Sequence, residues 1–281
     1  MKRKFSKTVV QLSASKDKIK FMSKTQKELA YLREFAIESD WTERFTDYFD
    51  TKFKFENPET VLYVNAGAGS HAIALSEKLE GNGLIYAIAE NEDLRNIAQA
   101  KADAVKTDVR FGTNFSEDKS DIVIADGSFV RPYQITDFIE KLIASSEDEV
   151  LFFLPTKGSF GEIFSFLWET LLETDLTEHG EQVERLISEI PTIEELVDLT
   201  RNLGLRKVEH SMQDEVFEYK DGAEFVNSPL VADFLFPIWL DFLDDEEKEK
   251  VGKKLAELID AEVGTISFYF SVKNTLIIGK T

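Results

Sequence analysis

The sequence predicts an α/β fold, a doubly wound domain in which short apolar strands alternate with helices. Three observations lead there. From residue 60 onward, apolar runs recur between helical patterns, the signature of strands buried on both faces of a parallel sheet. The first run, Val61-Leu-Tyr-Val64, ends in a glycine-containing turn, Asn65-Ala66-Gly67-Ala68-Gly69. The 281 residues, 43% hydrophobic and including 23 Phe, suffice for a sizeable core in one large domain or two small ones.

The elements follow in order. Residues 1–29 hold nine Lys and Arg against Asp17 and Glu28, so residues 1–26 read as a basic, flexible arm. Residues 27–58 read as N-terminal helices in two pieces. One carries the stripe Leu29, Leu32, Phe35, Ala36. The other carries Trp41, Phe45, Tyr48, Phe49 and restarts at a capping box made by Asp40 and Glu43. Residues 59–281 form the main domain, with strands at 61–64, 84–89, 109–111, 121–125 and 150–154. Helices fall between them, near 70–79, 91–104 and 133–145. The helix 159–173 carries Phe160, Phe164, Leu167 and Leu171, a stripe expected to pack in the core. Residues 174–190 are polar and read as a connection. Thr192 and Glu195 cap a helix over 193–203, and Gly204 stops it. Leu205–Ser211 and Glu215–Tyr219 read as two strands. Residues 221–262 read as a helical insert broken at Pro229 and Pro237, and 266–278 as one or two closing strands.

Composition excludes several functions. There is no Cys, which removes disulfides, thiol nucleophiles and thiolate metal sites, and the three His (His71, His179, His210) do not make a histidine metal site. No metal is expected. The apolar runs fall short of the roughly 20 residues that span a bilayer. Met1-Lys2-Arg3-Lys4 resembles a secretory n-region, but Thr-Val-Val-Gln-Leu-Ser is too short and polar to follow it, so a soluble cytoplasmic protein is expected. Beyond residue 29 there are 24 basic and 51 acidic residues. Such a body repels phosphate backbones, which disfavours nucleic acid as a partner.

The glycine turn carries the functional reading. Glycine after a strand and before a helix permits positive φ and lets a ligand approach bare backbone at the positive end of the helix. Two ligand classes fit. Gly67-x-Gly69-x-x-Ala72, with Glu90 some 20 residues on, matches the dinucleotide fingerprint of a nicotinamide-dependent oxidoreductase. Alternatively, Val61-Leu-Tyr-Val-Asn65-Ala-Gly67-Ala-Gly69 resembles the first motif of class I S-adenosylmethionine-dependent methyltransferases. Ile85-Tyr-Ala-Ile-Ala89-Glu90 resembles that family's second strand, and Asp121-Ile-Val-Ile-Ala-Asp126-Gly127 its fourth. Pro191-Thr-Ile-Glu-Glu-Leu, Leu203-Gly-Leu-Arg-Lys-Val208 and Lys273-Asn-Thr-Leu-Ile-Ile-Gly-Lys280 resemble its later elements.

The resemblance implies a Rossmann-like seven-stranded sheet, mostly parallel with an antiparallel closing strand. It implies S-adenosylmethionine as cofactor, with the methionine moiety against Asn65, Ala66, Gly67 and Gly69, and the ribose near Glu90. The adenine would lie near Thr113 and Asn114, and Asp126 with Gly127 would face the reacting methyl group. Tyr63, Asn65 and Ala89 depart from the family pattern, where an acid, a glycine and an acid are usual. No catalytic residue declares itself: His71 reads as a capping or surface residue, His179 as solvated and His210 as a strand residue. Two activities follow: a methyltransferase acting on a small molecule in a partly apolar pocket, or a methyltransferase-like protein without catalysis, serving as a regulatory or scaffold partner. The insert 221–262 and the N-terminal helices are expected to cover that pocket.

Overall fold

The computed structural model describes residues 24–281 except 57, 81, 117 and 265. The basic arm therefore lies almost entirely outside the described residues. Seven strands form one sheet: β1 Thr60–Val64, β2 Leu84–Ile88, β3 Arg110–Gly112, β4 Ser120–Asp126, β5 Ser146–Pro155, β6 Arg206–Tyr219 and β7 Phe268–Lys280. Their order is β3-β2-β1-β4-β5-β7-β6. The first five pair in parallel, and β7 runs antiparallel to both β5 and β6. This order, with β7 inserted antiparallel, differs from the 3-2-1-4-5-6 order of dinucleotide-binding domains. It removes the main structural support for the oxidoreductase reading.

Successive side chains of a strand face opposite sides of a sheet. On one side Val61, Tyr63, Ile124 and Phe153 pack under α3 (Ser70–Lys78), α4 (Glu92–Val105), α6 (Gly161–Glu173) and the N-terminal helix. On the other, Leu62, Val64, Val123 and Phe152 pack under α5 (Ile135–Ala144) and α8 (Ile193–Asn202). The capping box of Thr192 with Glu195 forms as expected, and Gly204 ends α8 at φ 107°.

Several elements differ from expectation. The N-terminal region is one unbroken helix: α1 (Gln26–Leu32), a π-helical stretch over Arg33–Thr42, then α2 (Glu43–Lys52). Asp40 does not restart it. The wider π turns rotate the buried face, so that Ala30, Arg33, Ile37, Trp41 and Phe45 point inward while Phe35 is 75% exposed. The polar connection contains a helix, α7 (Gly180–Glu189), which buries Val183. The two strands expected over 205–219 are one, because β7 supplies partners through the polar middle, Gln213↔Asn274 and Asp214↔Lys273. The insert comprises α9 (Gly222–Asn227), a π turn Leu230–Leu235, α10 (Phe236–Trp239) and α11 (Asp245–Val263). Pro237 does not break it, since the backbone stays helical from the π turn directly into α10. Among the described residues, no helix is long and apolar enough to cross a membrane.

Candidate functional site

The site forms where β1, β2 and β4 end at the carboxyl edge of the sheet. Asn65, Gly67 and Gly69 all take positive φ, at 57°, 55° and 84°. Asn is among the few side chains that tolerate this region, and it serves here in place of a glycine. Its amide Nδ2 donates to the Asp126 carbonyl at 2.8 Å and so ties the end of β1 to the end of β4. The Ala66 N–H donates to the Ile88 carbonyl at 2.8 Å, which ties the turn to β2. Gly69 starts α3. A Cβ there would lie 2.7 Å from the Phe111 ring and 2.8 Å from Ala98, so this glycine is required by packing. Gly67 differs: a Cβ would meet only the Arg33 guanidinium, at 3.4 Å from Nε.

Arg33, the residue that sequence reasoning missed, organises the site. It lies on the buried face of the π-helical stretch and is 3% exposed. Its Nη2 lies 3.3 Å from Asp126 Oδ2 and 4.0 Å from Glu90 Oε1. The guanidinium carbon stands 4.4 Å from the centre of the Phe129 ring, a cation–π contact. Nη1 is buried and has no hydrogen-bond partner among the described residues. A signal existed in the sequence: Arg33 is the lone charge in the register Arg33, Ile37, Trp41, Phe45.

The carboxylates are held firmly. Asp126, 3% exposed, accepts from the Ser128 N–H at 2.7 Å through Oδ1 and from Arg33 through Oδ2. Glu90 lies beyond the end of β2, so the one-residue offset from the family pattern does not turn it to the wrong face. Its Oε2 accepts from the Gly67 N–H at 3.0 Å. The side chain keeps 33% exposure. Loss of water raises its pKa, against the opposing pull of Arg33 and the hydrogen bond from Gly67. Glu38, one turn beyond Arg33, is also raised by burial, with Arg33 and Lys101 opposing.

The structure thus brings together Asn65, Ala66, Gly67, Glu90 and Asp126, with Gly69 beneath them. Asn114 stands apart: it is exposed, its carbonyl accepts from Tyr86 and its amide reaches Thr113 at 3.4 Å. His71 is not a surface residue. It is 8% exposed, its Nδ1 lies 2.9 Å from the Tyr63 hydroxyl and its Nε2 3.3 Å from Asp50 Oδ1. Burial, then the charge of Asp126, holds the Tyr63 hydroxyl well above its ordinary pKa. Tyr63, where the family has an acid, is thus a neutral strut between β1 and α3. His179 is half-buried against Phe242, 3.9 Å from Glu247, rather than solvated.

A cleft of about 220 Å³ opens beside this cluster, walled by Arg33, Glu90, Leu94, Phe129, Phe234 and Ile238. Phe234 and Ile238 come from the insert, and the Phe234 ring lies 5.7 Å from that of Phe129. No group of side chains among the described residues has the make-up of a metal site.

Comparison with known proteins agrees with this architecture. No family model and no curated protein matches the sequence. Solved structures do match in fold. A methyltransferase from Geobacter sulfurreducens, solved with S-adenosyl-L-homocysteine, is 15% identical with a TM-score of 0.54, over 92% of this chain and 99% of its own. A methyltransferase from Thiobacillus denitrificans, solved with the same ligand, is 16% identical with a TM-score of 0.51, over 91% and 99%. Phosphoethanolamine N-methyltransferase 2 from Haemonchus contortus, solved with S-adenosyl-L-methionine, is 10% identical with a TM-score of 0.50, over 91% of this chain and 57% of its own. The chain has the fold of the class I S-adenosylmethionine-dependent methyltransferases.

Proposed function

We propose that the protein binds S-adenosylmethionine at the Asn65–Gly69 turn and transfers its methyl group to a small molecule. The observation that carries this reading is the Arg33 guanidinium, buried against bare Gly67 with one nitrogen unpartnered. A buried donor left unmade costs roughly 1–3 kcal/mol, more when it is charged. A ligand carboxylate presented at Gly67 would satisfy it, and the methionine moiety carries one. Positive φ at Asn65, Gly67 and Gly69 shapes the turn at the N-terminus of α3, an end that favours an anionic group. Glu90 Oε1 remains available for ribose hydroxyls, since Gly67 engages only Oε2. The cleft wall of Leu94, Phe129 and Ile238 suits the apolar faces of an adenosine.

Held by Arg33, Glu90 and the Asn65–Gly69 turn, S-adenosylmethionine would supply an electrophilic methyl group. The chain's own part is alignment and exclusion of water. Asp126, with both oxygens engaged, holds the β4 end and the Arg33 guanidinium in place. Residues 230–238 of the insert and the π-helical stretch act as covers over the cleft.

The alternative is a methyltransferase-like protein without catalysis. Its support is the internal satisfaction of the site: Glu90 and Asp126 are bonded to Gly67, Ser128 and Arg33 rather than free. Calorimetric titration with S-adenosylmethionine and S-adenosylhomocysteine separates the two. Binding of either in the micromolar range supports the first reading, and no binding at millimolar concentration leaves only the second.

A further inference from the structure

Next to the cofactor cleft lies a second, narrow cavity of about 50 Å³. Its walls include Phe129, Phe160, Phe164, Leu186 and Trp239, and every described side chain lining it is uncharged. Ser128 lies in that lining and is 6% exposed. Its N–H is taken by Asp126, while its Oγ is buried without a hydrogen-bond partner among the described residues. The cavity shares Phe129 and Ile238 with the cofactor cleft. It also shares Pro132, Leu186 and Ile238 with an outer cavity of about 240 Å³. The outer walls are polar, but their charges are matched: Arg131 pairs with Asp241, and Arg185 with Glu189 at 2.9 Å. The three cavities thus adjoin one another, with Ser128 in the lining of the middle one.

We propose that the adjoining cavities join into one path that binds the methyl acceptor, and that the acceptor is an uncharged, elongated amphipathic molecule. Its polar head hydrogen-bonds Ser128 Oγ and its apolar chain fills the neck. This rests on the methyltransferase reading for the word acceptor, though the binding itself does not. A charged head would lose its hydration here, and the nearest charges, Asp126 and Arg33, already pair with each other, so the penalty is large. An uncharged hydroxyl or unprotonated amine meets instead a hydroxyl able both to donate and to accept. The narrow neck favours a chain over a fused ring system.

The test uses three probes with one chain and different heads: 1-hexanol, hexanoate and hexylammonium. Their dissociation constants are measured by saturation-transfer NMR, and S-adenosylmethionine binding is followed separately by thermal shift. 1-Hexanol is expected to bind at least about tenfold more tightly than either ion. Ser128→Ala should weaken 1-hexanol about fivefold. The same variant should keep or slightly raise Tm, because the hydroxyl it removes makes no bond. Leu186→Trp, at the partly buried junction of the two cavities, should abolish probe binding while leaving the S-adenosylmethionine shift intact. Equal or tighter binding of an ion, no binding of 1-hexanol, or indifference to Ser128→Ala overturns the proposal. If 1-hexanol binds as expected and S-adenosylmethionine does not, the pocket stands and the methyltransferase reading falls. The reverse result leaves that reading standing and removes this pocket.

Discussion

At the scale of single residues, the account turns on how Arg33 and Asp126 share a buried site. Each is 3% exposed, so each needs the other's charge. Arg33→Ala is expected to lower stability by about 3–5 kcal/mol, because it strands the Asp126 carboxylate. Arg33→Met combined with Asp126→Asn should recover most of that loss in denaturant unfolding, yet still fail to bind S-adenosylmethionine. Recovery of binding by the double variant would show that the guanidinium is structural only. Gly67→Val should abolish cofactor binding, since a branched side chain resists φ 55° and would crowd Arg33. Glu90→Ala should weaken binding by about 1–2 kcal/mol, the scale of a hydrogen bond to a charged group. These residues were unequally legible. Gly67 and Gly69 stand out because a strand, a glycine pair and a helix follow one another in sequence. Arg33 does not, because its partner Asp126 is 93 positions away and an arginine on a polar helix reads as solvated.

At the scale of elements, the N-terminal helix is the part least readable from periodicity. A stripe counted at 3.6 residues per turn places Phe35 inside, whereas the π-helical stretch advances the buried face onto Arg33, Ile37 and Glu38. π-Helical turns concentrate at functional sites, and here the wider turn is what delivers Arg33 to the sheet edge. Trp41 anchors that delivery. It is fully buried, and its ring lies 5.4 Å from Phe129 and 5.1 Å from Phe217. Trp41→Ala is expected to cost about 3–5 kcal/mol and to weaken cofactor binding as well, since it loosens the helix that carries Arg33. Glu38 gives the same helix a pH dependence. Burial raises its pKa in the folded state above 4.5, so the folded state holds the proton more tightly than the unfolded one. Its contribution therefore falls as pH rises from about 4.5 through the raised folded value. Glu38→Gln should be more stable than the parent at pH 7 and should show a flatter pH profile across that window. A variant less stable at pH 7 would mean that Lys101 and Arg33 outweigh the burial. The helix α7 escaped detection for a plainer reason: of its apolar side chains only Val183 is fully buried, while Leu186 is half-buried and Ile187 exposed among polar neighbours.

At the scale of the whole molecule, the sheet order was within reach of the sequence because each strand is a short apolar run and the motifs fall in family order. The continuity of β6 was not, since Met212, Gln213 and Asp214 look like a break until β7 provides their partners. Asn65, Gly67, Glu90 and Asp126 meet at one edge of the sheet, and the N-terminal helix and the insert, both expected to serve as covers, border the cleft beside them. The central claim is that this edge of the sheet binds S-adenosylmethionine. The most direct measurement is the melting temperature of the full chain with and without the cofactor. At 100 times its dissociation constant, a ligand of the folded state alone stabilises by about 2.7 kcal/mol. For a chain of this size that raises Tm by roughly 5–10 °C, and Gly67→Val should erase the rise. No shift with S-adenosylmethionine or S-adenosylhomocysteine at millimolar concentration, or an equal shift in Gly67→Val, would contradict the account.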